Sequence, residues 1–558
     1  MLAPRIESPA WLTAAALALV GALAAALYLP FLGNPPVFDD RIFFSGTGFY
    51  NYARFPLGLG LRYPPYFSLA WTHVVFGGIE AHRLASLVLH VGCAWALFAL
   101  LRALELRRLA AFAGAALFVV HPVAVYGAAY LTQRSTVLAT LFALLTLLMF
   151  LRGLHAGSLS DAIVAALLSS LSVLSKEHAI LLPAAAVALV PLTAAPLRFA
   201  VRYVGLFLVA WAPAAILIFL LSRGVVGQVY EPHFASIALQ VTTESVSSPW
   251  MASALVQAGL FFKYFYLWLL PSTAEMALDV RIDFANYWAP AVALPAVLGY
   301  VASAALAVYL VLRRGRLALP AWGFLYVWIM FLVEFTTVRF QEPFVLYRSY
   351  LWAPGLVVMV AAGLDRLPPR LLLALVVPAL ALLSWQAHDR LRTFASGMAI
   401  WEDAAAKLPP EAVPGGYRPL YELGREYLYA GRPADAVDVT ERCIRLYPRL
   451  FECAFARAAI QIEMQQYEKA LPSIISAIAL RPGDKASRHH LGLILENLGC
   501  LEEAKTQYRV AISMHSREAE HRLQRIENPG KGLLAPVELP RQVDCKDLMT
   551  RNPVPKPG

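Results

Sequence analysis

Tyr203-Val-Gly-Leu-Phe-Leu-Val-Ala-Trp-Ala-Pro-Ala-Ala-Ile-Leu-Ile-Phe-Leu-Leu221 runs for nineteen residues without a charge. As an α-helix it would be about 28 Å long, close to the hydrocarbon thickness of a bilayer. Arg198 and Arg202 stand just before it, where basic residues flank the cytoplasmic end of a membrane helix. Outward from this stretch, apolar windows recur at 10–32, 84–103, 109–127, 135–152, 161–175, 179–197, 291–312, 320–338, 350–365 and 371–387. With 203–221 they predict about eleven crossings.

Composition agrees. Of 558 residues, 59% are hydrophobic and only 15% charged, so most of the chain belongs in lipid. The apolar run 10–32 is longer than a signal-peptide core and shows no small-residue cleavage site, so it is expected to stay as the first span. The formal charge of +10 comes from Arg clusters that punctuate apolar blocks, and nucleic acid is not an expected partner. Arg107 and Arg108, Arg152, Arg198 and Arg202, Arg313, Arg314 and Arg316, and Arg366 and Arg370 can all face the cytoplasm if the N-terminus is inside. Treating 253–270 as a further span would move the Arg313 cluster outside. That aromatic segment is therefore expected to be re-entrant or interfacial, with Lys263 snorkelling or binding an anion.

An odd number of crossings delivers the C-terminal part to the outer, periplasm-like face. There a 34-residue period begins at Tyr417, Phe451 and Lys485. Its seventh and eighth positions are Leu423-Gly424, Arg457-Ala458 and Leu491-Gly492; its twentieth are Ala436, Ala470 and Ala504; its twenty-seventh are Cys443, Ala477 and Ala511. Small residues at those places let paired helices approach, a tetratricopeptide signature. Trp401, Ala404 and Pro409 look like the second helix of a preceding half-repeat. The expected architecture is all-α: a polytopic transmembrane bundle over 1–388, a tetratricopeptide-repeat solenoid over 389–527, and an irregular tail over 528–558. Of the five cysteines, Cys93 lies in an apolar block. Cys443 with Cys453 and Cys500 with Cys545 are the shortest disulfide pairings, but single cysteines packed in repeat cores are the expectation. No spacing suits zinc, and no metal site or cofactor is expected.

Sorted by side, the polar residues at span ends gather outside. They are Asp39-Asp40 after the first span, His121-Pro122, Gln133-Arg134, Lys176-Glu177-His178, and Arg339, Glu342 and Tyr347-Arg348 between the ninth and tenth spans. Cations there run against the charge bias that orients the protein, and a charge at the hydrocarbon edge is costly unless paired or used. Arg134, Lys176 and Arg348 suit the phosphate of a lipid carrier; ion pairs such as Lys176 with Asp40 or Arg348 with Glu342 would explain them as well. Adjacent carboxylates push one pKa upward, which can poise a general base, although a two-Asp loop capping a helix is commoner.

The ordered set of Asp39-Asp40, Arg62-Tyr63-Pro64, the His82 to His90 stretch, Val119-Val120-His121-Pro122, Gln133-Arg134, Ser175-Lys176-Glu177-His178 and terminal repeats resembles the transmembrane-and-tetratricopeptide-repeat O-mannosyltransferases and their bacterial relatives. Those are glycosyltransferases of GT-C type. The resemblance covers nearly the whole chain, with Tyr126 standing where the eukaryotic pattern is acidic and Gln133 where it has Gly, so it implies a reaction class and not a donor sugar. It implies inverting transfer from a polyprenyl-phosphate sugar to a hydroxyl of a protein acceptor on the periplasmic face of a bacterial inner membrane. Asp40 is expected as base with Asp39 orienting, the two being exchangeable. Phosphate contacts are expected from Arg134, Lys176 and Arg348, with support from Glu177, His178 and Glu342. His121 is expected to pack at a span end. Arg62, His233 and Lys263 stand in reserve. The repeats would hold the acceptor, a pilin-like or secreted protein or a glycan. A transporter or flippase of a lipid-linked sugar, its repeats recruiting envelope proteins, is the main alternative; a catalytically inert scaffold is the third.

Overall fold

In lipid the backbone has no water to bond, so an apolar stretch must satisfy its own amide groups, which a helix does. The computed structural model describes residues 10–45, 50–54, 60–223, 248–340, 342–527 and 544–555, and His233 lies outside them. The fold is all-α. Seven helical stretches among the described residues are long and apolar enough to cross a membrane: 10–31, 79–103, 131–156, 197–221, 290–312, 318–336 and 369–393. An eighth arises if Arg108–Val119 and Pro122–Ala128, bent by 63°, count as one broken span. The break has a local cause, since Pro122 lacks an N–H and His121 caps the second piece by accepting from Val123 N at 3.2 Å.

The longer helices of the first compact unit, which runs to Asp403, are α1 (Ala10–Tyr28), α2 (Asp39–Ser45), α3 (Tyr63–Phe76), α4 (Ile79–Ala103), α5 (Arg108–Val119), α6 (Pro122–Ala128), α7 (Arg134–Ala156) and α8 (Ser160–Ser175). They continue as α9 (Leu197–Leu221), α10 (Pro249–Leu269), α11 (Pro290–Leu312), α12 (Ala318–Phe331), α13 (Ala353–Leu364) and α14 (Pro369–Thr393). Three of the eleven expected windows are shorter than a full span: 161–175 is α8, 179–197 falls on the broken segment Glu177–Leu192, and 350–365 is α13. A twelve-residue helix such as α13 is about 18 Å long, well short of a bilayer core. Segment 253–270 is helical to Leu269, in one continuous helix, α10, whose Tyr264 and Trp268 are buried in protein.

Small residues set the packing. At the crossing of α12 and α13, a Cβ on Gly323 would lie 2.5 Å from the carbonyl oxygen of Gly355, so the two backbones touch in the manner of small-residue membrane packing.

The second unit, from Ala404, contains three helix pairs: α15 (Tyr417–Tyr429) with α16 (Pro433–Leu446), α17 (Phe451–Glu463) with α18 (Tyr467–Leu480), and α19 (Lys485–Asn497) with α20 (Leu501–Ser513). α21 (Arg517–Glu527) follows. The pairs start 34 residues apart, as the sequence period requires. Ala436, Ala470 and Ala504 are fully buried. A Cβ on Gly492 would lie 2.5 Å from the Tyr508 ring, which is why the eighth position must be small. Both shortest cysteine pairings are formed, Cys443–Cys453 and Cys500–Cys545, so the expectation of single core cysteines is overturned. Cys443, Cys453 and Cys500 are buried, and Cys545 is partly buried against the repeat core. Part of the expected irregular tail is a helix, α22 (Cys545–Arg551), joined through its first residue to Cys500.

Candidate active site

The loop after α1 enters α2 through Phe38, whose φ of +52° is left-handed, a strained state for a bulky residue. That turn sends the two acids in different directions. Asp40 is fully buried, with Oδ1 accepting from Thr132 N at 2.8 Å and Oδ2 from Leu131 N at 3.2 Å. Burial pushes its carboxyl up to about 7, although the amides of Thr132 and Leu131 and the Arg83 guanidinium favour the ion. Arg83 ties the same region together, donating to the carbonyls of Asn34, Pro35 and Ala129 at 2.7–2.8 Å. Asp39 is exposed, and its backbone N–H donates to the Tyr130 hydroxyl at 3.3 Å.

A chain of basic and acidic side chains lies in the same unit, with His178, whose pKa burial lowers, at its centre. Arg62 donates to Glu177 through Nε at 3.0 Å and Nη2 at 2.5 Å. His178 stands between two acids, Nδ1 at 3.4 Å from Glu177 and Nε2 at 3.5 Å from Glu334. Those distances are within ion-pair range, but the ring is not aligned for hydrogen bonds. Glu334 then meets Arg348 at 3.1 Å and Arg339 at 3.6 Å. Burial pushes Glu177 up, but Arg62 and His178 outweigh it and hold the carboxyl well below its ordinary range. The Glu342 carbonyl accepts from Arg348 Nη1 at 3.4 Å.

Lys176 sits within this group. Among the described residues, it alone of Arg62, Lys176, Arg339 and Arg348 has no carboxylate within ion-pair distance; its Nζ reaches Gln133 Oε1 at 3.4 Å and lies 5.8 Å from the Tyr347 ring. Burial, reinforced by Arg62, pushes the ammonium down to about 7. Tyr347 joins the two halves of the site. Its ring packs 5.7 Å from that of Tyr130, and its phenol is under the field of Asp39 as well as of Arg348 and Arg62.

The structure thus brings Lys176, Arg348, Arg62, Glu177, His178 and Glu342 together near Asp39, and it places the other expected residues elsewhere. Arg134 is fully buried and committed to four neutral acceptors: Ser86 Oγ at 3.2 Å, Ser68 Oγ at 3.2 Å, Thr72 Oγ1 at 3.0 Å and the His82 carbonyl at 2.7 Å. Lys263 pairs with Glu275 at 3.2 Å. His121 is stacked on Trp268 at 4.3 Å and bonds that residue's carbonyl at 3.0 Å, a packing role at a span break. The ion pairs Lys176–Asp40 and Arg348–Glu342 are not formed; Gln133 and Glu334 take those places. Sequence reasoning gave no site role to Glu334, Arg339 or Tyr347. A carboxylate inside the apolar window 320–338 was the available signal for Glu334.

An apolar groove of about 540 Å³ runs beside α5, α13 and α14, lined by Leu117, Val357, Val360, Leu375, Leu382 and Trp268. The Trp268 indole donates to Ser349 Oγ at 2.9 Å, one residue from Arg348.

No family model matches the sequence, and none of the curated proteins matches it. Among solved structures, an Archaeoglobus fulgidus oligosaccharyltransferase tethered to an acceptor peptide aligns with a TM-score of 0.37 and 14% identity, covering 76% of this chain and 59% of that one. The chain therefore spans about three-fifths of that enzyme's length, and likeness at this level fixes neither family nor activity.

Proposed function

We propose that this protein is a membrane glycosyltransferase that moves a sugar from a polyprenyl-phosphate carrier to a hydroxyl of a protein acceptor on the outer face, with inversion. The observation that carries the proposal is Lys176, a buried cation without a carboxylate, set among three arginines and across Tyr347 from the exposed Asp39. In the reaction, the acceptor oxygen attacks the anomeric carbon and its proton passes to Asp39. The carbon–oxygen bond to phosphate breaks, and the phosphate leaves with the electron pair, stabilised by Lys176 and Arg348. Asp39 is exposed and Asp40 buried under two amides, which supports the exchanged assignment: Asp39 the base, Asp40 the group that fixes its loop. The apolar groove that Trp268 helps to line suits a hydrocarbon tail. The resemblance noted above supplies the carrier and acceptor class. Two disulfides in the second unit support its placement in an oxidising compartment such as the periplasm, and the boundaries 1–388, 389–527 and 528–558 remain those proposed from sequence.

Proteoliposomes supplied with a polyprenyl-phosphate sugar and a hydroxyl acceptor test the reaction directly. Transfer that is lost in Asp39→Asn and retained in part in Asp40→Asn supports the proposal; full transfer in Asp39→Asn removes the base. One observation favours transport instead, the broken pair α5–α6, since interrupted helices mark transporter sites. Movement of the lipid-linked sugar between leaflets with no transfer to acceptor would select that alternative.

A further inference from the structure

The first helix of each pair in the second unit carries a ring at one shared position: Tyr421, Phe455 and His489 stand 34 residues apart. All three are half-buried, which leaves part of each ring open. α15 packs on α17 and α17 on α19, so the three positions form a row across the repeats. Other rings extend it. The Arg425 guanidinium lies 5.7 Å from Tyr421 and 5.8 Å from Tyr429, which is 72% exposed, and Phe455 meets His490 edge-on at 5.1 Å.

We infer that this row binds an extended, proline-rich segment of a partner protein in the polyproline II conformation. Spacing selects the ligand. Packed helices stand about 8–10 Å apart, and a polyproline II helix returns to the same face every three residues, about 9 Å. One residue in three then meets one ring per repeat. A β-strand returns to the same face about every 7 Å and falls out of step. Aromatic-lined grooves favour polyproline II because its backbone is already ordered before binding and its carbonyls remain free to accept.

The second unit already packs a short proline-containing segment of its own chain. Pro553-Val554-Pro555 is non-helical, Val554 packs against the repeat core, and buried Arg488 donates through Nη2 to the Pro555 carbonyl at 2.6 Å. The inference deepens the acceptor assignment proposed above and rests on it for biological meaning, but its test needs no sugar transfer, so the two can fail separately.

The full chain in lipid nanodiscs is titrated into a fluorescein-labelled peptide of about twelve residues, Pro-Pro-Ser repeated. A Gly-Gly-Ser peptide and chitotetraose serve as comparisons. Saturable binding of the proline peptide alone is expected, weakened about three- to tenfold by Tyr421→Ala and by Tyr429→Ala and unchanged by Asp39→Asn. Tyr429 is largely exposed, so its loss leaves the fold intact and decides the matter if Tyr421→Ala lowers the melting temperature. Equal binding of the Gly-Gly-Ser peptide, preference for chitotetraose, or indifference to Tyr429→Ala would overturn the inference.

Discussion

Arg62 grips both carboxylate oxygens of Glu177 from 115 residues away in the chain. Arg62 itself is in a left-handed backbone conformation, φ +58°, so a strained turn is held at the point where the ion pair forms. The pair is partly screened, with the two side chains 37% and 21% exposed. A double-mutant cycle on Arg62→Ala and Glu177→Ala is expected to give a coupling of about 1–2 kcal/mol, measured by denaturation in detergent. A coupling near zero would mean that the bond contributes nothing to the fold.

Asp39 and Asp40 are expected to separate kinetically. Asp39→Asn lowers kcat by about 10²- to 10⁴-fold, the usual contribution of a positioned base. Asp40→Asn acts mainly on stability, because an amide can offer only one oxygen to the two N–H groups that Asp40 serves, and it costs about 1–3 kcal/mol. Sugar-transfer rates and melting temperatures on the same preparations distinguish the two.

Stability should pass through a minimum near neutral pH. The Asp40 pKa is raised from 3.8 to about 7, so its contribution is fully present below 3.8 and lost as pH rises through about 7. Lys176 is lowered from 10.5 to about 7, so its contribution is present above 10.5 and lost as pH falls through about 7. Melting temperature against pH is expected to lose its acid-side slope in Asp40→Asn and its alkaline-side slope in Lys176→Met.

Gly355→Ala should destabilise the bundle by about 1–3 kcal/mol, because the new methyl group meets the Gly323 carbonyl and forces α12 and α13 apart. An unchanged melting temperature would mean that the two helices can separate at no cost.

Thiol counting gives an independent check. Alkylation of the denatured, unreduced chain should label Cys93 alone, and reduction should release four more thiols. Cys545→Ser is expected to cost about 2–4 kcal/mol in the second unit.

The long spans were legible because length and apolarity suffice to specify them, and the repeats because a Cβ at Gly492 has no room. The three short windows were not, since a local count of apolar residues cannot tell where Lys176 ends a helix and the chain turns. Lys176 and Arg348 stood out as charges at the edge of apolar runs. Arg134 looked the same in sequence, yet Ser68, Thr72 and Ser86 on two other helices satisfy it. The order of Asp39 and Asp40 was equally hidden, because the amides that bury Asp40 come from 91 and 92 residues downstream.

The line of contacts from Arg62 through Glu177, His178 and Glu334 to Arg348 has a bearing on biogenesis. Membrane helices enter the bilayer in the order of synthesis, so Arg62 and Glu177 can find each other while the ribosome is still many helices short of residue 334. His178 must wait for Glu334, and Glu334 for Arg348. The line of contacts is therefore completed late, and a nascent chain halted before residue 334 would hold its early salt link, with His178 and Arg348 still unlinked through Glu334.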